Sequence, residues 1–165
     1  MNTLSLTREN TFARDAILVV LSGLLITLMG QFSIPLPFTP VPITFRFQTI
    51  LLLSVFLGSR RAALSVLVFL IQGPSVFTPS PVAGYLVGYL IAAFVVGMMS
   101  EKQSRASLSF LVGTLIVYTC GAAYLSTLIG FQKAILLGVL PFIAPDLLKT
   151  VACLKILAWY QRVCE

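Results

Sequence analysis

Six stretches of this chain are almost wholly apolar: 16–32, 43–57, 62–71, 82–99, 107–129 and 140–160. A helix needs about 20 apolar residues to cross a bilayer. The first, fourth, fifth and sixth stretches satisfy that requirement directly. The second and third are short and reach it only by borrowing the loops beside them, 33–44 and 72–80. The pattern predicts an all-α integral membrane protein, one bundle of six transmembrane helices. Residues 1–15 form an N-terminal segment before the bundle of residues 16–160.

The two borrowed loops have an unusual character. One reads IPLPFTPVPIT with Pro35, Pro37, Pro40 and Pro42, and the other reads QGPSVFTPSPVAGY with Pro74, Pro79 and Pro81. Proline breaks helices, so neither is expected to be regular helix. Apolar, irregular backbone is tolerated at membrane depth only when buried in protein or lining a cavity. The alternative is a pair of tight interhelical turns, although these loops are longer than a tight turn requires.

Composition supports the membrane class. Hydrophobic residues make up 58% of the 165 and charged residues 10%, against roughly 45–50% and about 25% in soluble domains. The charges set an orientation. Arg8, Arg14, Arg60, Arg61, Lys102, Arg105, Lys155 and Arg162 fall at the termini or in even-numbered loops, whereas only Arg46 and Lys133 fall in odd-numbered ones. The positive-inside rule then places both termini in the cytoplasm and both proline loops outside. The net charge of +6 is a topology signal of this kind and gives no reason to expect nucleic acid. Residues 1–15 carry Arg8, Glu9, Arg14 and Asp15 before a run too long for a signal peptide, so no cleaved leader is expected. Gly84, Gly88 and Ala92, with Ala93 and Gly97, form a small-residue stripe that lets helix backbones approach. The stripe is expected to bury the fourth segment inside the bundle.

Candidate chemistry is sparse. Histidine is absent, which removes the imidazole base and most zinc and haem sites. Cys120, Cys153 and Cys164 form no CxxC pair. No phosphate-binding GxxxxGK[ST] or nucleophile-elbow GxSxG occurs, so neither an enzyme nor a resident cofactor is expected. Asp146 is the only acid inside an apolar span, with Lys149 three positions on and on the same helix face. A charge near the bilayer centre costs about 2.5–3.5 kcal/mol even on a lenient scale. Either the two residues only lock the helix as an ion pair, or they face a polar cavity that holds a ligand. Gln48, in FRFQTILLL, suits an interhelical hydrogen bond or a ligand contact. Tyr85 suits an interfacial aromatic belt or the same ligand site.

Taken in order, PFTPVPIT, FQT, LG, GPSVF, PVAGYLVGY and GVLPFIAPDLLK resemble the BioY family over residues 16–160. BioY proteins are substrate-capturing S components of energy-coupling-factor biotin transporters. The resemblance implies biotin capture in an outward-facing pocket among six helices, with the loop between the first two as a lid. It implies a scaffold subunit and two ATPases as partners, and a multi-pass location in the bacterial plasma membrane. Carried over by position, Asp146 and Lys149 match the family's D-x-x-K pair, Gln48 the glutamine after PVPIT, and Tyr85 the tyrosine of its GGYL motif. Phe38 and Phe77 would suit the apolar parts of biotin. Three residues, Phe45, Arg46 and Phe47, stand between PVPIT and Gln48 where the family has one, and Ala83 replaces a glycine. Capture of another vitamin or a biotin precursor is the nearest alternative. A non-transporting assembly subunit of a membrane complex is the alternative from another class.

Overall fold

The computed structural model describes residues 3–35, 37–73, 80–102 and 106–164. The chain is mostly helical, in the order α1 (Thr3–Gln31), β1 (Ser33–Ile34), β2 (Ile43–Thr44), α2 (Arg46–Leu57), α3 (Ser59–Gln72), α4 (Ala83–Glu101), α5 (Ala106–Ile129), α6 (Phe131–Gly138) and α7 (Leu140–Cys164). Among the described residues four stretches are long and apolar enough to cross a membrane: Phe12–Gln31, Ala83–Glu101, Ala106–Ile129 and Phe131–Trp159. Their outward faces carry large apolar side chains, among them Leu21, Leu28, Leu111, Leu115, Leu147 and Leu148. Lipid accommodates such a surface; in water it would be a liability.

The short second and third segments do not lengthen as expected. Ile43 and Thr44 pair as a strand, so α2 starts only at Arg46, with 12 residues, and α3 has 14. At 1.5 Å per residue these helices span about 18 and 21 Å, less than the roughly 30 Å of a hydrocarbon core. They meet at Gly58, whose φ of 78° turns the chain sharply. Oε1 of Glu101, at the end of α4, accepts hydrogen bonds from the Ser59 backbone N–H at 2.6 Å and the Ser59 hydroxyl at 2.9 Å. An acceptor borrowed from α4 thereby caps α3, satisfying donors that a helix start leaves free.

The first proline loop is partly ordered by pairing. Ser33 lies opposite Thr44 and Ile34 opposite Ile43 in an antiparallel ladder. Prolines lack the N–H a ladder needs, so pairing is confined to these ends, and residues 37–42 form the described part of the hairpin tip. Residues 74–79 of the second loop, Phe77 among them, lie outside the described residues.

Residues 131–138 form a helix that the apolar pattern left as a connection. Pro141 has no N–H to give the carbonyl of Leu137, four residues back. The Phe142 N–H bonds Val139 rather than Gly138. Two carbonyls, of Leu137 and Gly138, are thus left free at the break between α6 and α7. The Thr39 hydroxyl donates to the first at 2.6 Å and the Tyr85 hydroxyl to the second at 2.7 Å. One proline in the sequence therefore creates anchor points for both the hairpin and α4.

The bundle centres on α4, which packs most extensively on α5 and also on α2 and α3. Its small residues have the role expected of them. A Cβ at Gly84 or Gly88 would run into α5, one at Gly97 would strike the backbone of Gly58 and Ser59, and Ala92 and Ala93 are fully buried. The Asp15–Arg61 ion pair at 2.9 Å joins α1 to α3, and the Glu101–Ser59 bonds join the α4 terminus to α3 at the same end of the bundle. The hairpin, Arg46, Tyr85 and α6 gather at the other.

Candidate functional site

Asp146 follows Pro145 inside α7 and is buried. Its Oδ1 accepts from Lys149 Nζ at 3.2 Å and its Oδ2 from the Tyr118 hydroxyl at 2.8 Å. Lys149 Nζ also donates to the Thr44 carbonyl at 2.9 Å and lies 5.3 Å from the centre of the Phe45 ring. The predicted pair is therefore formed, and its ammonium also holds the base of the hairpin. A carboxylate offers about four lone-pair sites. Two are used here, which leaves capacity for further N–H donors.

Around this pair is a chamber lined by Val41, Pro42, Thr44, Phe47, Tyr85, Tyr89, Val117, Tyr118, Phe142 and Asp146, with a free volume of about 30 Å³. That is room for little more than a water. Phe47 stacks against Tyr89 with ring centres 6.1 Å apart. Tyr85 is held by its bond to Gly138 and by Gly121, where a Cβ would collide with its ring. A second cavity of about 330 Å³ adjoins the chamber and shares Val41, Pro42, Thr44, Tyr85 and Tyr89 with it; Gly30, Ser33, Pro40, Arg46, Ser80, Val82 and Leu86 complete its wall. Small-ligand pockets typically measure roughly 300–1,000 Å³. The outer cavity is in that range, and the hairpin and two tyrosines close off the inner one.

The structure brings Asp146, Lys149 and Tyr85 together. Gln48 is buried in α2 with neither side-chain polar atom bonded among the described residues, and it lines neither cavity. Phe38 is 56% exposed at the hairpin tip and also lies outside both. Phe77 is outside the described residues. Residues that the sequence reading passed over are Tyr89, Tyr118, Phe47, Thr44 and Arg46. Tyr89 could have been found, since it lies one helical turn from Tyr85. Tyr118 is 28 positions from Asp146, and no local spacing joins them.

Residues 1–165 match the BioY family model. The probable biotin transporter BioY of Pyrococcus horikoshii is 33% identical over 156 residues, covering 87% of this chain and 94% of its own. The biotin transporter BioY of Rhizobium etli is 34% identical over 165 residues, covering 84% of this chain and 88% of its own. A crystal structure of the S-component for biotin from an ECF-type ABC transporter matches with a TM-score of 0.78 over 93% of both chains at 23% identity. The two share a fold.

Proposed function

The chain belongs to the BioY family, and from that premise we propose that it captures biotin for uptake as the S component of an energy-coupling-factor transporter. The observation that carries this reading is the buried Asp146–Lys149 pair, braced by Tyr118 and facing an aromatic chamber under the proline hairpin. Biotin joins an apolar bicycle and chain to a ureido group with two N–H donors and one carbonyl acceptor. In the proposed complex Asp146 accepts from the ureido N–H groups and Lys149 serves its carbonyl. Tyr85, Tyr89, Phe47 and Phe142 enclose the apolar parts.

A chamber of about 30 Å³ does not admit a bicyclic ligand, so capture requires the hairpin to lift. Among the described residues two hydrogen bonds tie it to the helices: Thr39 to Leu137, and Lys149 to Thr44. A ligand that engages Lys149 releases the second tie as it enters. The hairpin is thus the proposed lid, on the outer side of a plasma membrane, with six membrane segments and both termini cytoplasmic in keeping with the distribution of basic residues. Transport, not catalysis, is the activity proposed, and a scaffold subunit with two ATPases supplies the energy.

The test is equilibrium binding of labelled biotin to the purified protein in detergent without nucleotide. Saturable, ATP-independent binding is expected. Absence of binding by folded protein overturns the proposal.

A further inference from the structure

Arg46 has no counter-charge among the described residues. It opens α2 immediately after the hairpin, on the wall of the outer cavity. Its guanidinium carbon lies 4.7 Å from the centre of the Phe69 ring. On its other side is Gly30 of α1, where even a Cβ would collide with the guanidinium. Its Nε is buried and donates no hydrogen bond. Among the described residues no carboxylate pairs with it: Asp15 is engaged by Arg61, Glu101 by Ser59, and Asp146 by Lys149 and Tyr118.

A partly desolvated guanidinium is costly unless an acceptor arrives. Its donors lie in one plane and match a carboxylate two at a time. The Phe69 ring covers a face and can accept none of these in-plane bonds. The charges of the two adjoining cavities are also unbalanced. Arg46 lines the outer one, while the single carboxylate in either lining, Asp146, is already paired with Lys149, which lines neither; this leaves Arg46 as a positive charge that a monoanion neutralises.

We propose that Arg46 receives the carboxylate of the transported ligand in the outer cavity and so makes the site select an acid over its neutral amide. The inference rests on the biotin reading above. With the ureido head at Asp146 in the inner chamber, the ligand's chain passes Tyr85 and Tyr89, which line both cavities. Its acid then emerges on the side of Arg46. A purely topological role, in which Arg46 only snorkels to the interface, predicts no preference between acid and amide.

The experiment is titration of biotin and of biotinamide into the purified wild type and the Arg46→Gln and Arg46→Lys variants. The wild type is expected to prefer biotin by about ten- to a hundredfold, the range for one charge-assisted hydrogen-bond contact. Arg46→Gln is expected to abolish the preference by lowering biotin affinity far more than amide affinity, and the amide binding that it retains shows that the variant is folded. Arg46→Lys, which keeps the charge without the fork, is expected to retain part of the preference. Equal wild-type affinities for the two compounds, or a preference that survives Arg46→Gln, overturns the assignment while leaving biotin capture in place. Binding of neither compound by the wild type overturns the biotin reading and this inference together.

Discussion

Asp146 and Lys149 can be tested as a pair because stability and affinity respond to them differently. Their side chains are 11% and 12% exposed, so removing one partner leaves the other charge buried. In Asp146→Asn the ammonium loses its counter-charge and keeps the Thr44 carbonyl, the Phe45 ring and at most a neutral amide oxygen. In Lys149→Met the carboxylate keeps only the Tyr118 hydroxyl. Breaking a buried pair in this way costs about 3–5 kcal/mol, whereas replacing both members with neutral groups of similar volume is often neutral or stabilising. Each single variant is therefore expected to be markedly destabilised and the double variant to recover most of the loss. Affinity follows another course if the pair holds the ligand. Each single change removes a charge-assisted bond worth about 1.5–3 kcal/mol, roughly ten- to a hundredfold in dissociation constant. The double variant is expected to bind no better than the weaker single one. The assay is a double-mutant cycle with thermal unfolding and biotin titration on all four proteins. A folded double variant that binds like the wild type refutes the reasoning and makes the pair purely structural.

Three further outcomes are expected. Gly121→Ala places a methyl against the Tyr85 ring and is expected to cost about 1–3 kcal/mol of stability as overpacking while weakening biotin binding; unchanged melting and titration curves count against the packing described. Thr39→Val removes the hairpin's bond to Leu137, and the lost 0.5–1.5 kcal/mol, roughly two- to tenfold, is expected in faster ligand release measured by stopped flow; an unaltered release rate contradicts the lid assignment. In a background without native cysteines, an impermeant thiol reagent applied to intact cells is expected to label Thr39→Cys and Ser80→Cys but not Ser104→Cys, and labelling of Ser104→Cys reverses the topology.

Much of the architecture was legible because lipid imposes simple requirements on sequence. The lengths of the apolar runs identified α1, α4, α5 and α7, and the spacing of Gly84, Gly88 and Ala92 identified the buried helix. The D-x-x-K spacing identified a pair that the structure joins at 3.2 Å. What escaped depended on backbone hydrogen bonds satisfied from a distance. Pro141 leaves carbonyls free, but nothing local says that Thr39 and Tyr85 will take them. The eight residues of α6 are too short for a span, so the apolar pattern alone reads them as a connection. The sequence marks Arg46 for topology and as part of the insertion before Gln48 but not for the site, because its lack of a counter-charge becomes apparent only once Gly30 and Phe69 are seen against it.

The central claim is that biotin sits on Asp146 and Lys149 beneath the hairpin, and an experimental structure of the protein with biotin bound tests it most directly. The account predicts ureido N–H groups within hydrogen-bonding distance of an Asp146 carboxylate oxygen, Lys149 released from Thr44, and a chamber enlarged well beyond its present 30 Å³. Biotin bound elsewhere, with the Asp146–Lys149–Thr44 contacts intact and the chamber still closed, would contradict it.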